Sequence, residues 1–192
     1  MDLEQARTNM VEQQIRTWEV LDQDVLDLLY VVPREEFVPA KQRALAFSDM
    51  QLPIGENERM WEPKLEARVL QELELHRTDR VLEVGTGSGY LTALLAHRTA
   101  HVFSVEIKPT LAAFGRRNLE HHGTANVTLE VADAARGWRI RRCAAKHSCA
   151  MPQPPCARWT RWSCRSRCRR SGAGWPRWSW RGASRSFPGA RR

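Results

Sequence analysis

The sequence predicts an α/β fold in which helices precede a parallel sheet with crossover helices, as in one half of a doubly wound sheet. Two observations lead to this prediction. Between residues 80 and 131, short apolar segments rich in Val alternate with longer segments of helical periodicity. Before residue 80, apolar residues recur at helical spacing on both sides of an irregular stretch. At 192 residues the chain is long enough to bury a hydrophobic core.

Three helices are predicted in the N-terminal part. The first covers residues 2–16, and its apolar face consists of Leu3, Ala6, Met10 and Ile15. The second follows Asp22 as N-cap and ends at Pro33, and its apolar stripe consists of Val25, Leu26, Leu29 and Val32. Residues 33–61 are expected to form a loop with little regular structure. The third helix begins at Pro63, and its predicted buried face consists of Leu65, Val69, Leu70 and Leu73.

From residue 80 onward the pattern predicts three strands with a helix between each pair. The strands cover residues 80–84, 101–106 and 127–131. The helices cover residues 90–98 and 109–122, with Gly123 as a C-terminal cap. The first of these helices is expected to bury Leu91, Leu94 and Leu95. The strands should be parallel, and ligands of open α/β sheets bind at the carboxyl ends of the strands.

A glycine-rich loop connects the first of these strands to its helix: Gly85, Thr86, Gly87, Ser88 and Gly89. Because the glycines have no side chains, the backbone can approach a ligand closely, and the N-terminus of the helix directs N–H groups toward that ligand. Glu106 ends the next strand, where a carboxylate can accept both hydroxyls of a ribose. Asp133 follows the third strand at the same edge. The spacing is G-x-G-x-G and not the G-x-G-x-x-G of dinucleotide sites.

Glu83 immediately precedes this loop and distinguishes between ligands. A carboxylate there would repel a pyrophosphate but suit a ligand that carries an ammonium and a sulfonium group, which is S-adenosylmethionine. The residues therefore favour a site for this cofactor over a dinucleotide site. In the alternative interpretation, the glycines form only a tight turn and the acidic side chains are solvated.

Charge is divided unevenly along the chain. Residues 1–138 contain all 22 acidic residues and 15 basic ones, whereas residues 139–192 contain 15 basic residues, one Ile, and no Leu or Val. We expect this tail to be disordered and to result from a shifted reading frame in a G/C-rich gene, beginning at or just after Trp138. Its five cysteines, with His147 nearby, have irregular spacing, so no metal site is predicted: Cys143, Cys149, Cys156, Cys164 and Cys168. The absence of a long apolar run or of a leader after Met1 predicts a cytoplasmic protein without a membrane span.

Several segments together resemble the protein-L-isoaspartate O-methyltransferases, a family of class I methyltransferases. Residues 81–90, VLEVGTGSGY, resemble the first motif of that family. Residues 32–39 are similar to its V-P-R-x-x-F-V-P segment, and residues 52–55 to its L-P-I-G. Asp133 with Gly137 and Trp138 resembles its G-D-G-x-x-G-W, with Ala132 and Ala134 in place of two glycines. The resemblance covers about residues 5–138.

The resemblance implies a Rossmann-like class I methyltransferase sheet with N-terminal helices, and a function in protein repair. Such an enzyme transfers methyl from S-adenosyl-L-methionine to the carboxylate of an isoaspartyl residue in a protein or peptide. By the same resemblance, Glu83 and residues 85–89 would hold the methionine end of the cofactor. Glu106 would bind the ribose, and Asp133 with Ala134 would lie near the adenine. We expect a monomer.

The chain departs from the family pattern in its substrate loop. Where the family carries T-I-S-x-P, this chain has Arg59-Met60-Trp61-Glu62-Pro63. Trp61 occupies the position of the catalytic serine and Arg59 that of the threonine, so we expect the serine's role to be lost. Arg59 either pairs with the carboxylate of an altered substrate or is a solvated surface charge.

A second departure follows residue 138, where the rest of the family sheet is expected to be missing. We therefore predict three regions: residues 1–78 with helices and substrate loop, 79–138 as a partial cofactor-binding half, and the tail 139–192. Loss of one wall of the crevice and an open edge at the strand 80–84 predict weak cofactor binding and little activity.

Three alternatives stay open at this point. The chain could be a non-catalytic remnant that binds an adenosyl ligand, or a dinucleotide enzyme, which Glu83 disfavours. The Arg-rich tail could also bind nucleic acid without sequence preference, through phosphate contacts and base stacking on Trp159, Trp162, Trp175, Trp178 and Trp180.

Overall fold

A computed structural model describes residues 2–136 of the chain. The helices are α1 (Leu3–Asn9), α2 (Gln23–Val31), α3 (Pro63–Glu72), α4 (Tyr90–Arg98) and α5 (Pro109–His121). The strands are β1 (Leu52–Gly55), β2 (Glu58–Met60), β3 (Arg80–Val84), β4 (His101–Glu106) and β5 (Val127–Val131). The expectations for residues 139–192, namely the missing half-sheet, the disordered tail, its cysteines and its nucleic-acid binding, lie outside the described residues.

The predicted parallel sheet is confirmed. Strands β3, β4 and β5 lie side by side in that order, and α4 and α5 are the crossover helices. The register places Glu83 beside Ser104 and Glu106 beside Val131, so the carboxyl ends of the strands meet at one edge. All three strands have the predicted bounds. Helix α5 ends at His121, and Gly123 follows with a φ of +75°, as expected of a C-terminal cap.

The N-terminal segment is helical but less regular than predicted. Helix α1, capped by the Asp2 carboxylate, ends at Asn9 and continues as a π-helical turn and then a 3₁₀ turn up to Trp18. The π turn shifts the buried face relative to an ideal helix, and Leu3 is exposed. Helix α2 is capped by Asp22 as predicted, and its apolar stripe is buried.

The prediction of a loop over residues 33–61 is wrong for its second half. Strands β1 and β2 form an antiparallel hairpin, and Leu52 pairs with Met60. The turn places Glu56 and Asn57 at φ angles of 53° and 61°, the left-handed conformation of a type I′ hairpin turn. The sequence has Glu-Asn where Asn-Gly would be the typical signal of such a turn, so the local pattern does not indicate the hairpin. Residues 34–36 and 40–45 are 3₁₀ turns.

The predicted buried face of α3 is also wrong in part. Leu70 is buried as predicted and Val69 is half-buried, but Leu65 and Leu73 are each 40% exposed. The other buried residues of the helix are Pro63, Glu66 and Ala67. The Glu66 carboxylate is buried because the buried Arg34 guanidinium donates to it. The spacing of apolar residues cannot predict that a charged residue is buried, because only apolar residues contribute to that pattern. In α4, Leu94 and Leu95 are buried as predicted, and Leu91 is half-buried.

One hydrophobic cluster runs through the described part of the chain. It includes Leu26 and Leu70 before residue 78, and Tyr90 and Leu94 after it. The boundary at residue 78 stays a prediction. None of the helices in residues 2–136 combines the length and the apolar character that crossing a membrane requires.

We expect the loss of one partner of the buried Arg34–Glu66 pair to be strongly destabilising. Glu66→Gln should lower the free energy of unfolding by about 3 kcal/mol, because it leaves the Arg34 charge buried without a counter-charge. The double variant Arg34→Met/Glu66→Leu should recover part of this loss. Urea denaturation measures both.

The matched control is Glu72→Gln on the exposed side of the same helix. Glu72 pairs with Arg68 at 2.9 Å, and the side chains are 61% exposed for Glu72 and 38% exposed for Arg68. This change should cost less than about 1 kcal/mol. Equal losses for Glu66→Gln and Glu72→Gln would contradict the role assigned to the buried pair.

Candidate functional site

The glycine-rich loop is packed tightly between β3 and α5. A Cβ atom on Gly89, whose φ is +83°, would lie 3.0 Å from the Gly115 carbonyl oxygen. A Cβ atom on Gly115 would lie 2.9 Å from the Thr86 methyl group and 3.1 Å from the Gly87 carbonyl oxygen. The loop therefore lies against the helix with backbone directly on backbone, which only glycine permits at these positions.

Glu83 is buried at the centre of a network of hydroxyl groups. Its Oε2 accepts hydrogen bonds from Thr92 Oγ1 at 2.5 Å and from Ser104 Oγ at 2.6 Å. The Ser104 hydroxyl is also 2.6 Å from Thr86 Oγ1, so the network reaches the glycine loop. The other carboxylate oxygen, Oε1, is buried and has no hydrogen-bond partner within the described residues.

Burial raises the pKa of Glu83 to about 7, and the nearby charge of Glu106 contributes in the same direction. The hydrogen bonds from Ser104 and Thr92 oppose this rise in pKa. Because Glu83 is buried with one unsatisfied oxygen, a cationic group bound next to it would stabilise its charged form. The site is therefore suited to a cation.

Glu106 supports the loop from the end of β4. Its Oε2 accepts a hydrogen bond from the Gly87 N–H at 3.0 Å, and its Oε1 accepts one from the Lys108 N–H at 3.1 Å. Each carboxylate oxygen can accept further hydrogen bonds. Glu106 thus fixes the loop and retains capacity for a polar ligand.

Asp133 and Ala134 lie at the same sheet edge, beyond the end of β5. Asp133 Oδ1 accepts a hydrogen bond from the Ala135 N–H at 3.0 Å, and Ala134 begins a short 3₁₀ turn. The backbone of Ala132 donates to the Glu106 carbonyl oxygen at 3.0 Å, which keeps this segment next to β4. Neither Asp133 nor Ala134 lines the pocket beside the glycine loop.

The hairpin forms the opposite wall of that pocket. Arg59 and Trp61 line it together with Glu83 and residues 85–88, although they lie more than 20 residues away in the sequence. Trp61 is 43% exposed, and Arg59 is also exposed. The fold therefore brings the predicted substrate-loop residues and the predicted cofactor loop into one pocket.

Four side chains that hold this arrangement were not identified from the sequence. Arg34 donates to the Trp61 carbonyl oxygen at 2.5 Å and to the Ala46 carbonyl oxygen at 2.8 Å. Lys108 holds the hairpin turn, donating to the Glu56 carbonyl oxygen at 2.6 Å and to the Glu58 carboxylate at 2.5 Å. Ser104 and Thr92 complete the set. Ser104 is a polar residue within the mostly apolar strand segment VFSVE, and this pattern could have indicated that it has a polar partner.

An open parallel sheet with a glycine loop and acidic residues at its carboxyl edge defines the chain as an α/β protein with a ligand site at the carboxyl ends of its strands. A family model described as Protein-L-isoaspartate(D-aspartate) O-methyltransferase (PCMT) matches residues 5–143. The chain belongs to this family, and the resemblance found in the sequence is confirmed.

Curated relatives agree with this assignment. A protein-L-isoaspartate O-methyltransferase 2 of Anaeromyxobacter sp. (strain Fw109-5) is 40% identical over 158 residues, which are 81% of this chain and 65% of the relative. A protein-L-isoaspartate O-methyltransferase of Petrotoga mobilis is 41% identical over 138 residues, which are 72% of this chain and 65% of the relative. The chain thus spans slightly less than two thirds of these relatives.

Solved structures show the same fold. A protein-L-isoaspartate O-methyltransferase is similar with a TM-score of 0.57 and 26% identity, over 67% of this chain and 42% of that one. A second, from Plasmodium falciparum and in complex with S-adenosyl-L-homocysteine, gives a TM-score of 0.53 at 20% identity, over 65% of this chain and 62% of that one. The predicted α/β fold with N-terminal helices is confirmed.

The raised pKa of Glu83 predicts a pH-dependent stability. Between about pH 4.5 and pH 7 the folded protein retains a proton on Glu83 that the unfolded chain releases. This group therefore makes the free energy of unfolding fall as the pH rises through that window. Glu83→Gln removes the effect. The free energy of unfolding of this variant minus that of the wild type should therefore increase by up to about 3 kcal/mol from pH 5 to pH 8.

Urea denaturation at several pH values measures this difference. Glu72→Gln is the matched control, since Glu72 is solvent-exposed, and its difference from the wild type should not show the same rise. A difference between Glu83→Gln and wild type that stays constant from pH 5 to pH 8 would show that Glu83 titrates normally.

Proposed function

We propose that this chain binds S-adenosyl-L-methionine at the glycine loop and acts as a protein carboxyl methyltransferase of the isoaspartyl type. Its acceptor would be the carboxylate of an isoaspartyl residue in a damaged protein or peptide. Family membership supports this proposal, and the observation that carries it is the buried Glu83 carboxylate with one oxygen unsatisfied beside the loop.

The residues present fit this cofactor. The unsatisfied Glu83 oxygen suits the ammonium or sulfonium charge of the methionine end. Gly85 has a φ of +96°, and within residues 2–136 no atom beyond its own chain neighbours lies within 4 Å of where its Cβ would be, so the loop leaves space at that point. Glu106 would bind the ribose, and Asp133 with Ala134 would border the adenine. When bound, the cofactor supplies an activated methyl group on a positively charged sulfur.

The residues of the chain then have three tasks: binding, orientation and exclusion of water. A carboxylate is already a nucleophile, so no strong base is required to activate it. Arg59, which lines the same pocket as Glu83, would attract the acceptor carboxylate. Holding oxygen, methyl carbon and sulfur in line lowers the entropic part of the barrier.

We expect the turnover of this chain to be low. Trp61 stands where the family pattern has its serine, and this residue lines the pocket. Within the described residues β3 is an edge strand, with Leu82 and Val84 exposed at 43% and 66%. Among the described residues the sheet is thus incomplete on one side of the crevice in which ligands of such sheets bind, which should weaken cofactor binding.

Calorimetric titration of the full chain with S-adenosyl-L-methionine tests the proposed binding. We expect weak binding, with a dissociation constant of roughly 0.1 to 1 mM. Glu83→Gln should weaken it at least tenfold, because the counter-charge of the cation is lost. Binding should also release protons at pH 7, detectable as heats that depend on the ionisation enthalpy of the buffer.

Glu72→Gln, an exposed change of the same type on α3, is the control and should bind like the wild type. Equal affinity for wild type and Glu83→Gln would refute the assigned site. A complete lack of binding would refute the proposed cofactor. Low micromolar affinity would refute the expectation of a weakened site.

Replacing Trp61 tests the acceptor side of the pocket. Trp61→Ser should increase methyl transfer to an isoaspartyl peptide by at least about tenfold, because it restores the hydroxyl and removes the indole from the pocket. Transfer of radiolabelled methyl groups measures the rate. Trp18→Ser is the matched control: Trp18 is 55% exposed and does not line this pocket, so its rate should be unchanged. An equal or lower rate for Trp61→Ser would count against this interpretation.

A further inference from the structure

We propose that Ser104 is a positioning residue of the cofactor site. Its hydroxyl joins the Glu83 carboxylate and the Thr86 side chain in one hydrogen-bond chain, so that the charge on Glu83 is linked to the glycine loop. Ser104 acts through these two residues, since it does not itself line the pocket. This inference rests on the proposed binding of S-adenosyl-L-methionine at that loop.

The fold places Ser104 between its two partners. It lies on β4, in register with Glu83 of β3, and its side chain is fully buried. Its Oγ is 2.6 Å from Glu83 Oε2 and 2.6 Å from Thr86 Oγ1. Both distances lie within the range of hydrogen bonds between oxygen atoms.

The number of protons fixes the direction of this chain while Glu83 is ionised. A carboxylate only accepts hydrogen bonds, so Ser104 donates its single hydroxyl proton to Glu83 Oε2. Ser104 Oγ is then the acceptor for the Thr86 hydroxyl. Because hydrogen bonds in a chain polarise one another, the negative charge on Glu83 also strengthens the bond that holds Thr86.

The same chain leaves one oxygen of Glu83 for a ligand. Thr92 Oγ1 also donates to Oε2, at 2.5 Å, so two buried hydroxyl groups from α4 and β4 hold that oxygen. Oε1 has no hydrogen-bond partner within the described residues. Ser104 and Thr92 therefore fix the orientation of the carboxylate and keep Oε1 for the cation.

Thr86 passes this constraint to the glycine loop. Its side chain is buried, and its hydroxyl is bonded to Ser104. Its methyl group lies against Gly115 of α5, where an added Cβ atom would come within 2.9 Å of it. The Thr86 side chain is thus held from the strand on one side and from the helix on the other. Loss of the Ser104 hydroxyl would remove the first of these two constraints.

Ser104 also affects how readily Glu83 ionises. Burial raises the pKa of Glu83 to about 7, the hydrogen bond from Ser104 opposes this rise, and the charge of Glu106 adds to it. The other ionisable residues that line the pocket are Arg59 and Glu66, and a change at Ser104 leaves them in place. Removing the Ser104 hydroxyl should therefore favour the neutral form of Glu83, which binds a cation less well.

The experiment follows the side-chain carboxyl carbon of Glu83 in the full chain by ¹³C NMR during a pH titration without cofactor. Glu83→Gln identifies the signal by its loss. In Ser104→Ala the acid dissociation constant of Glu83 should fall about tenfold, because the ionised form loses a charge-assisted hydrogen bond. Thr86→Val keeps the bond from Ser104 to Glu83 but removes the donor behind it, so it should cause a smaller fall.

Thr128→Ala is the matched control. Thr128 is a half-buried residue of the neighbouring strand β5, and its hydroxyl is 2.9 Å from His101 Nε2. In this variant Glu83 should titrate as in the wild type, and circular dichroism verifies that each variant is folded. An unchanged Glu83 dissociation constant in Ser104→Ala would overturn the role assigned to Ser104. An unchanged one in Thr86→Val would overturn the link to the loop.

The same NMR signals, followed as S-adenosyl-L-methionine is added, test the consequence for binding. If only ionised Glu83 binds the cation, Ser104→Ala should weaken binding about tenfold at pH 6 and less than about twofold at pH 8.5. Equal weakening at both pH values would indicate a packing defect and contradict the proposal. Absence of binding by the wild type would refute the proposed function, whereas the titration without cofactor would still decide the role of Ser104.

Discussion

The buried cation of Arg34 is the interaction on which the arrangement of the site depends. Its guanidinium donates to Glu66 on α3, to the carbonyl oxygens of Ala46 and Trp61, and lies 5.0 Å from the centroid of the Tyr90 ring. Burial lowers the pKa of Arg34 to about 10, so the group stays charged at neutral pH. One side chain therefore joins the exit of the hairpin to α3 and to the first residue of α4. This explains how the wall that carries Trp61 is held against the loop that ends at Gly89.

The opposite wall depends on two carboxylates with different roles. Glu106 uses both oxygens to hold backbone N–H groups, which shapes the loop. Glu83 holds two hydroxyl groups on one oxygen and leaves the other without a partner among the described residues. Two acidic groups near each other in a buried place disfavour a second negative charge and favour a bound cation. The hydrogen bonds of Glu106 thus give the loop its shape, and the proximity of the two carboxylates gives the pocket its preference for a positively charged ligand.

Family membership and the local departure from the family pattern concern different parts of this pocket. The match over residues 5–143 covers both the glycine loop and the hairpin. On the wall formed by the glycine loop, Glu83 and the glycines agree with the family pattern. On the wall formed by the hairpin, Arg59 and Trp61 do not, yet both line the pocket. The pocket thus combines one wall that follows the family pattern with one wall that departs from it.

The sequence alone determined the sheet, because strands β3 to β5 and helices α4 and α5 follow from apolar periodicity and from glycine and proline at their ends. It also identified the glycine loop, Glu83 and Glu106, since chain order alone places them at one sheet edge. Only the tertiary structure revealed the β1–β2 hairpin, which depends on left-handed conformations at Glu56 and Asn57, and the buried Glu66, which depends on its partner Arg34, 32 residues away. Likewise, Lys108 and Glu58 are separated by 50 residues, and only the tertiary packing brings them together. The local sequence pattern indicates backbone conformation and burial. Contacts between charged or polar side chains that are distant in the sequence depend on how the helices and strands pack.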